Sequence, residues 1–305
     1  MGFWGTVVVA KSPVLLAHRA DVLGFGYQHD EVRDLGQGWQ VLVTRGWQDP
    51  PDLAAAGRRL VAGTSEPVLA AYVCDGDCAA IFARCTTEWT FSAHLPPGED
   101  DCGYKHRPKP PARTAAEVTA DLVAWGEAAG LTPDRDRLLS LVASDSGADA
   151  YRRADHVVFD LLPALGFAAV GPPHPKAFAI HERPYSYLVD FFGLGTQARS
   201  RAVVREQWPD EIEPDEVEQP WEAAAVQLEF DLWAAVHHTD PDVAALKMRI
   251  DQVRAEYDRC RAEYPPAPEH VEINGSAVHN AQSVMQQLYD GHVSGHVNPP
   301  PTACG

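Results

Sequence analysis

Residues 68–82 read VLAAYVCDGDCAAIF, the clearest structural signal in the N-terminal half of the chain. Two apolar runs flank the pair Asp75-Gly76. An Asp-Gly pair in this position is a strong hairpin signal, because both central residues of the favoured turn need a positive φ. The stretch therefore predicts an antiparallel β-hairpin with its turn at residues 75–77.

Further strands are predicted on both sides of this hairpin. Residues 4–10 and 39–44 precede it and residues 89–95 follow it, each as an apolar run bounded by turn residues. We expect a short helix between the first two runs, and a helix that Asp49-Pro50-Pro51-Asp52 opens, since proline suits a first turn. About five short strands with two helices predict an α+β fold with a small, mostly antiparallel sheet.

The middle of the chain predicts helices and then a linker. After a proline-rich polar loop, helices are expected at residues 115–129, 134–142 and 149–165, followed by a strand at 185–192 and a helix at 197–207. The acidic run at 210–216, which contains a proline, is typical of a linker. We therefore expect an α+β domain at 1–209 and an acidic linker at 210–219.

The C-terminal part carries a heptad pattern. Apolar residues alternate at spacings of three and four from residue 221 to 235, again from 243 to 264, and once more from 278 to 288. This alternation predicts a seam along one face of each helix. We expect a helical hairpin or a three-helix module at 220–291 and a disordered tail at 292–305.

Charge and composition exclude some classes of function. The formal net charge of −18 argues against general nucleic-acid binding and against anionic membrane surfaces. The chain shows neither a secretory signal pattern nor a run approaching the roughly 18 apolar residues of a membrane span. We therefore expect a cytoplasmic protein whose six cysteines are thiols.

Cys74 and Cys78, with the residues between them, form the densest cluster of potential metal ligands in the sequence. Across a three-residue loop they would face each other, and thiolates so placed can bind zinc if two further ligands arrive from elsewhere. No second Cys-x-x-Cys and no histidine pair completes such a set. The alternative is a turn with small buried thiols at its strand ends, and we expect no metal and no cofactor.

An anion site is the one ligand site that the pattern suggests. Gly193, Gly195 and Thr196 follow an expected strand and precede an expected helix, as phosphate-binding loops do. Arg201 and Arg205 share a helix face and can hold a phosphate or carboxylate bidentately. Two glycines also match many ordinary turns, which is the alternative interpretation.

A short basic run stands out against the acidic background. Lys105-His106-Arg107-Pro108-Lys109 lies in the proline-rich loop after the last expected strand of the sheet. It can receive an anionic partner or ligand. The alternative is a mobile surface loop that its charges keep soluble.

Three stretches carry a resemblance to a known group of proteins. Residues 2–10, 38–42 and 68–78 make the first hundred residues of the chain similar to uncharacterised proteins of actinomycetes. The resemblance implies a bacterial, cytosolic origin, and it brings no activity with it.

The motifs of common enzyme classes are missing from the sequence. It contains no Gly-x-Ser-x-Gly elbow, no Walker loop and no complete dinucleotide fingerprint. We expect a non-catalytic binding or regulatory protein that meets a protein partner, or a second copy, through its C-terminal helices. The alternative is a small-molecule enzyme with a phosphate-recognising or metal-assisted site between the two halves.

Overall fold

The chain forms two compact units, Met1–Pro175 and Lys176–Gly305. The computed structural model describes residues 2–26, 28–45, 50–86, 88–98, 102–104, 106–107, 109–143, 153–168, 170–176, 194–195, 197–199, 201–202, 205, 217–238 and 240–263. The predicted strand at 185–192, the linker at 210–216, the third helix at 278–288 and the tail at 292–305 lie outside these residues. Within the described part, no helix has both the length and the apolar character that a membrane span requires.

A six-stranded antiparallel sheet forms the centre of the first unit. Its strands are β1 (Gly5–Lys11), β2 (Gln28–Gly36), β3 (Trp39–Arg45), β4 (Val68–Cys74), β5 (Cys78–Arg84) and β6 (Thr90–Leu95). They lie in the order β2-β3-β1-β4-β5-β6. The predicted α+β class with a mostly antiparallel sheet is confirmed.

The predicted hairpin joins β4 to β5. Asp77 N donates to Cys74 O at 2.9 Å, and Asp75 and Gly76 have φ angles of 52° and 76°. Positive φ at both positions is what an Asp-Gly pair supplies at low cost. Cys74 and Cys78 are therefore paired across the ends of the two strands.

Helices cover both faces of the sheet. They are α1 (Leu53–Thr64), α2 (Ala115–Ala128), α3 (Arg135–Val142) and α4 (Ala154–Ala164). α2, α3 and α4 pack on the face that carries Val73, Ile81 and Ala93, and Trp125 of α2 is fully buried there. α1 packs on the opposite face, where Phe82 lies against it. α1 begins after Asp52, whose side chain accepts from Ala55 N at 2.8 Å and so caps the helix.

The segment between β1 and β3 differs from the predicted single short helix. It contains two 3-10 turns, Leu16–His18 and Ala20–Phe25, followed by the edge strand β2. In β2 the buried residues are His29, Val32 and Leu35, three positions apart, because register shifts at two points interrupt the strand's alternation. A β-bulge adds one residue to a strand. The buried positions of β2 therefore have the spacing of a helix face, and pattern analysis does not identify them as a strand.

The second unit contains the predicted helical hairpin. α5 (Pro220–Ala235) and α6 (Val243–Glu263) pack along the expected seam, where Leu246, Ile250 and Val253 are buried with α5. Trp221 meets Tyr257 edge to face, with ring centroids 4.9 Å apart. The helical residues 194, 195, 197–199, 201, 202 and 205, which the sequence assigned to the first domain, belong to this second unit.

Candidate metal centre

Two side chains of the centre come from neighbouring strands on one face of the sheet. His94 of β6 lies opposite Ala80 of β5, and Cys78 is two residues before Ala80. Successive side chains of a strand point to opposite faces, so Cys78 and His94 share the face of Phe82 and α1. Diagonal neighbours of this kind are close enough for an imidazole to reach a thiol.

The other two side chains come from the loop that follows β6. Cys102 and His106 are half-buried and reach the same spot as Cys78. Tyr104, between them, donates its hydroxyl to Asp77 Oδ2 at 2.7 Å, and its ring meets Trp4 edge to face. Further along, Arg107 O accepts from Leu53 N at 3.1 Å. These contacts fasten the loop to the hairpin turn and to the start of α1.

Three of the four potential ligand atoms are spaced much as they would be around a tetrahedral ion, and the fourth lies nearby. The sulfurs of Cys78 and Cys102 are 3.5 Å apart, and His106 Nε2 is 3.6 Å from the first and 3.1 Å from the second. Around a tetrahedral zinc ion the edges are about 3.8 Å between two sulfurs and about 3.6 Å between sulfur and nitrogen, from bond lengths of about 2.3 and 2.05 Å. With His94 included, all four atoms lie within 4.8 Å of one another.

His94 is oriented as a metal ligand. Its Nδ1 lies 2.8 Å from Pro96 O, and a carbonyl oxygen only accepts, so Nδ1 carries the proton. The lone pair is then on Nε2, which is buried and has no hydrogen-bond partner among the described residues. His94 is only 5% exposed. A histidine held by a backbone carbonyl through one nitrogen and presenting the other is the usual arrangement at metal sites.

His106 differs from His94 in which of its ring nitrogens has a polar neighbour. Its Nε2 points to the two sulfurs, and its ring centroid is 5.2 Å from that of His94. Its Nδ1 is buried without a hydrogen-bond partner in the described part of the chain. The backbone therefore orients His94 directly, whereas His106 depends on the loop that carries it.

The thiols of the centre have raised pKa values. The hydrogen bond with Cys74 and burial raise the pKa of Cys78 to about 11, and burial raises the pKa of Cys102 to about 11. Both sulfurs are therefore protonated at neutral pH unless a cation stabilises the thiolates. A bound divalent metal does this, because it deprotonates its thiol ligands outright.

Sequence reasoning named Cys78 and missed its three partners. It paired Cys78 with Cys74, which faces Cys78 across the hairpin but is not among the four converging residues. It expected no metal because no second ligand pair was visible, and that expectation stays a prediction. In the structure the other potential ligands are single residues from a strand and a loop. The spacing from Cys102 to His106, an i, i+4 pair beside a proline-rich run, was the available signal.

The residues of the predicted anion site are only partly described. Gly193 and Thr196 lie outside the described residues, and Gly195 has helical backbone. A Cβ on Gly195 would lie 1.9 Å from Glu229 Oε2, so the glycine makes room for that carboxylate. The anion site stays a prediction, and the structure gives Gly195 a packing role.

Arg201 and Arg205 both bind a carboxylate of the protein. Arg201 Nε donates to Glu222 Oε1 at 2.8 Å, and Arg205 Nη2 donates to Glu222 Oε2 at 2.5 Å. Arg199, which their spacing directs elsewhere, pairs with Glu229. Burial raises the pKa of Glu229, and the guanidinium of Arg199 opposes this effect. Glu222 thus fills, for the two arginines, the role that the anion hypothesis gave to a ligand.

Comparisons of the chain with protein-family models, with curated proteins and with solved structures find no match. No function is therefore transferred from a relative. The convergence of two thiols and two imidazoles on one point of the first unit is the feature from which a function follows.

Proposed function

We propose that this chain is a zinc-binding protein in which Cys78, His94, Cys102 and His106 hold one structural zinc ion. The observation that supports this most directly is the convergence of four ligand atoms within 4.8 Å of one another, three of which are 3.1 to 3.6 Å apart, close to the edges of a zinc tetrahedron. The buried lone pair of His94 Nε2 adds a second, independent one.

The donor set favours zinc over other common ions. Two sulfurs and two imidazole nitrogens in a tetrahedron suit zinc, whereas magnesium and calcium prefer oxygen ligands. Square-planar copper and nickel sites do not have this shape. Among the ions normally available to proteins, Zn²⁺ fits both the atoms and the geometry.

Four protein ligands favour a structural rather than a catalytic ion. Catalytic zinc keeps one position open for water or substrate, while structural zinc is closed by its side chains. Cys78 and His94 are 2% and 5% exposed, so the inner half of the site is shielded from solvent. A structural ion also agrees with the expectation of a non-catalytic protein.

A bound zinc ion would hold several segments of the chain at the turn of the β4–β5 hairpin. Gly76, in the hairpin turn, already makes hydrogen bonds to two other segments. Its N–H donates to Phe3 O at 3.0 Å, and its carbonyl oxygen accepts from Ala154 N at 2.7 Å. The loop of Cys102 and His106 joins the same turn through Tyr104. Zinc binding contributes folding free energy to such a junction because the unfolded chain has no assembled site.

The rest of the proposal concerns how this zinc-stabilised protein acts. We propose a cytoplasmic binding or regulatory protein, since all five cysteines in the described part of the chain are free thiols. Contact with a protein partner, or with a second copy, would use α6. On the face of this helix away from the seam, Met248 is 57% exposed beside Ala244 and Ala255. A size measurement of Met248→Glu against the wild type tests the self-association form of this contact.

The metal content of the purified protein tests the zinc proposal. Protein produced with zinc in the medium, desalted and analysed by mass spectrometry of the elements, should carry one zinc per chain. Cys78→Ser and His94→Ala should carry far less than one. Cys85→Ser and Cys74→Ser are matched controls, because both are buried cysteines outside the four-residue set, and both should keep the metal.

Two results would overturn the proposal. One is a wild-type protein that stays free of zinc after dialysis against a zinc buffer. The other is zinc that survives in Cys78→Ser, which would place the ion at other residues. His156→Ala serves as the control for histidine removal, since His156 is an exposed residue of α4.

A further inference from the structure

We infer that the same four-residue cluster is a peroxide-sensitive switch, in which oxidation joins Cys78 to Cys102 as a disulfide and releases the zinc. This inference rests on the proposed function. It goes beyond it by assigning the site a regulation and an oxidant class. The observation behind it is the contact between two thiol sulfurs, one on a strand of the sheet and one in the loop that follows β6.

The two sulfurs need little movement to bond. They lie 3.5 Å apart, and a disulfide is about 2.05 Å long, so they must approach by about 1.5 Å. Cys78 is on the buried strand β5, while Cys102 lies in the polar loop after β6 and is not itself part of a strand or helix. A shift of Cys102 alone can close this gap, so the strand pairing of β5 and the contacts of Tyr104 and Arg107 stay in place.

The two cysteines also differ in how accessible they are to solvent. Cys78 is 2% exposed, whereas Cys102 is half-buried. A small oxidant therefore reaches Cys102 first, and Cys78 is placed as the resolving thiol. Zinc holds both sulfurs as thiolates, and the thiolate is the form that reacts.

The chemistry is a two-electron oxidation by a hydroperoxide such as hydrogen peroxide. The Cys102 thiolate attacks one peroxide oxygen and the O–O bond breaks, which gives a sulfenic acid and, after protonation, water. The Cys78 thiolate then attacks that sulfur, the S–S bond forms, and hydroxide leaves and takes a proton as a second water. Two thiolates, one peroxide and two protons become one disulfide and two waters.

Loss of the two thiolates removes half of the metal's ligands. His94 and His106 alone do not make the closed four-ligand set of a structural zinc site. The ion leaves, and the loop is then tied to β5 by a covalent bond instead. Reduction of the disulfide restores the thiols and the capacity to bind zinc.

Two other cysteines fall in the same tryptic peptides as Cys78 and Cys102, so the experiment must distinguish their disulfides from the Cys78–Cys102 bond. Trypsin cleaves after Arg59, Arg84 and Lys105, so one peptide, 60–84, holds Cys74 and Cys78, and the next, 85–105, holds Cys85 and Cys102. A Cys74–Cys78 bond stays inside the first peptide. In the double variant Cys74→Ala/Cys85→Ala, a link between the two peptides can only join Cys78 to Cys102.

The experiment treats zinc-loaded full-length protein with hydrogen peroxide in the presence of a chromogenic zinc indicator. We expect the loss of one zinc per chain, a mass lower by two hydrogens in the protein freed of zinc, and the linked peptides 60–84 and 85–105. The double variant Cys74→Ala/Cys85→Ala should behave in the same way, and a thiol reductant with added zinc should reverse the change.

The outcomes separate this inference from the proposed function. Zinc that stays bound through the peroxide treatment overturns the switch and leaves the zinc site intact. Zinc lost while Cys78 and Cys102 carry only sulfinic or sulfonic acids also overturns it. Reduced protein that binds no zinc at all overturns the proposed function, and the switch with it.

Discussion

The sulfurs of Cys78 and Cys102 lie 3.5 Å apart, although 24 positions of sequence separate the two residues. Cys78 belongs to the β4–β5 hairpin that the sequence predicts, and Cys102 to the proline-rich polar loop that follows β6. The contact between the two sulfurs therefore joins the loop to the strand at the point where the side chains of His94 and His106 converge.

Tyr104→Phe should weaken zinc binding without changing the ligand set. The variant removes the 2.7 Å hydrogen bond to Asp77 and keeps the ring that meets Trp4. A hydrogen bond to a partly exposed group contributes about 1 kcal/mol, so we expect the dissociation constant to rise by roughly three- to tenfold. Competition with a zinc chelator measures this. An unchanged affinity would mean that Tyr104 does not position the loop.

Zinc binding should release two protons at neutral pH. Both thiols have pKa values of about 11 in the absence of a cation, so each is protonated at pH 7 and must lose its proton to bind the metal. The apparent affinity should therefore fall by about a hundredfold for each unit of decreasing pH near neutrality. Calorimetry in buffers of different ionisation enthalpy counts the protons, and a count near zero would exclude two thiol ligands.

The fold was largely predictable where the pattern was local. The Asp75-Gly76 pair fixed the hairpin, and the alternation of apolar residues fixed α6 and its seam. β2 was missed because its bulges space His29, Val32 and Leu35 as a helix would space them. Local patterns describe local geometry, and a bulge changes the pattern without changing the strand.

The candidate metal centre was not predictable in the same way. Its four potential ligands are single residues on β5, on β6 and in the loop, and only Cys102 and His106 are close in sequence. The register that puts His94 opposite Ala80 and the loop path that returns Cys102 to Cys78 are tertiary facts. A search for paired ligands in sequence therefore weighed Cys74 with Cys78, the wrong neighbour for the four-residue set.

Val253→Asp should destabilise the second unit strongly. Val253 is 8% exposed within the seam between α5 and α6, and an unpaired carboxylate there lacks a partner. We expect the free energy of unfolding to fall by at least about 3 kcal/mol. Met248→Asp is the matched control on the exposed face of the same helix and should change stability by less than about 1 kcal/mol. Equal melting curves for Val253→Asp and the wild type would contradict the packing of the seam.

Arg199 and Glu229 should behave as a buried pair. Glu229 is 2% exposed, and Arg199→Met would leave its carboxylate without the guanidinium. Breaking a buried pair by removing one partner costs about 3 to 5 kcal/mol, whereas replacing both partners with apolar residues is often close to neutral. We therefore expect Arg199→Met/Glu229→Leu to recover most of the stability that Arg199→Met loses in denaturant unfolding. A double variant as unstable as the single one would show that the pair does not act as a unit.

The visible absorption spectrum of the cobalt-substituted protein shows whether two thiolates and a tetrahedral geometry surround the bound ion. Co²⁺ reports its coordination through d–d bands, which are intense in a tetrahedral site, and through charge-transfer bands from each bound thiolate. Replacing zinc by Co²⁺ should give a tetrahedral spectrum with saturation at one ion per chain, and Cys102→Ser should lose about half of the thiolate charge-transfer intensity, because one of two sulfur ligands is removed. Weak octahedral bands without thiolate charge transfer, in wild-type protein that is folded and reduced, would contradict a site formed by Cys78, His94, Cys102 and His106.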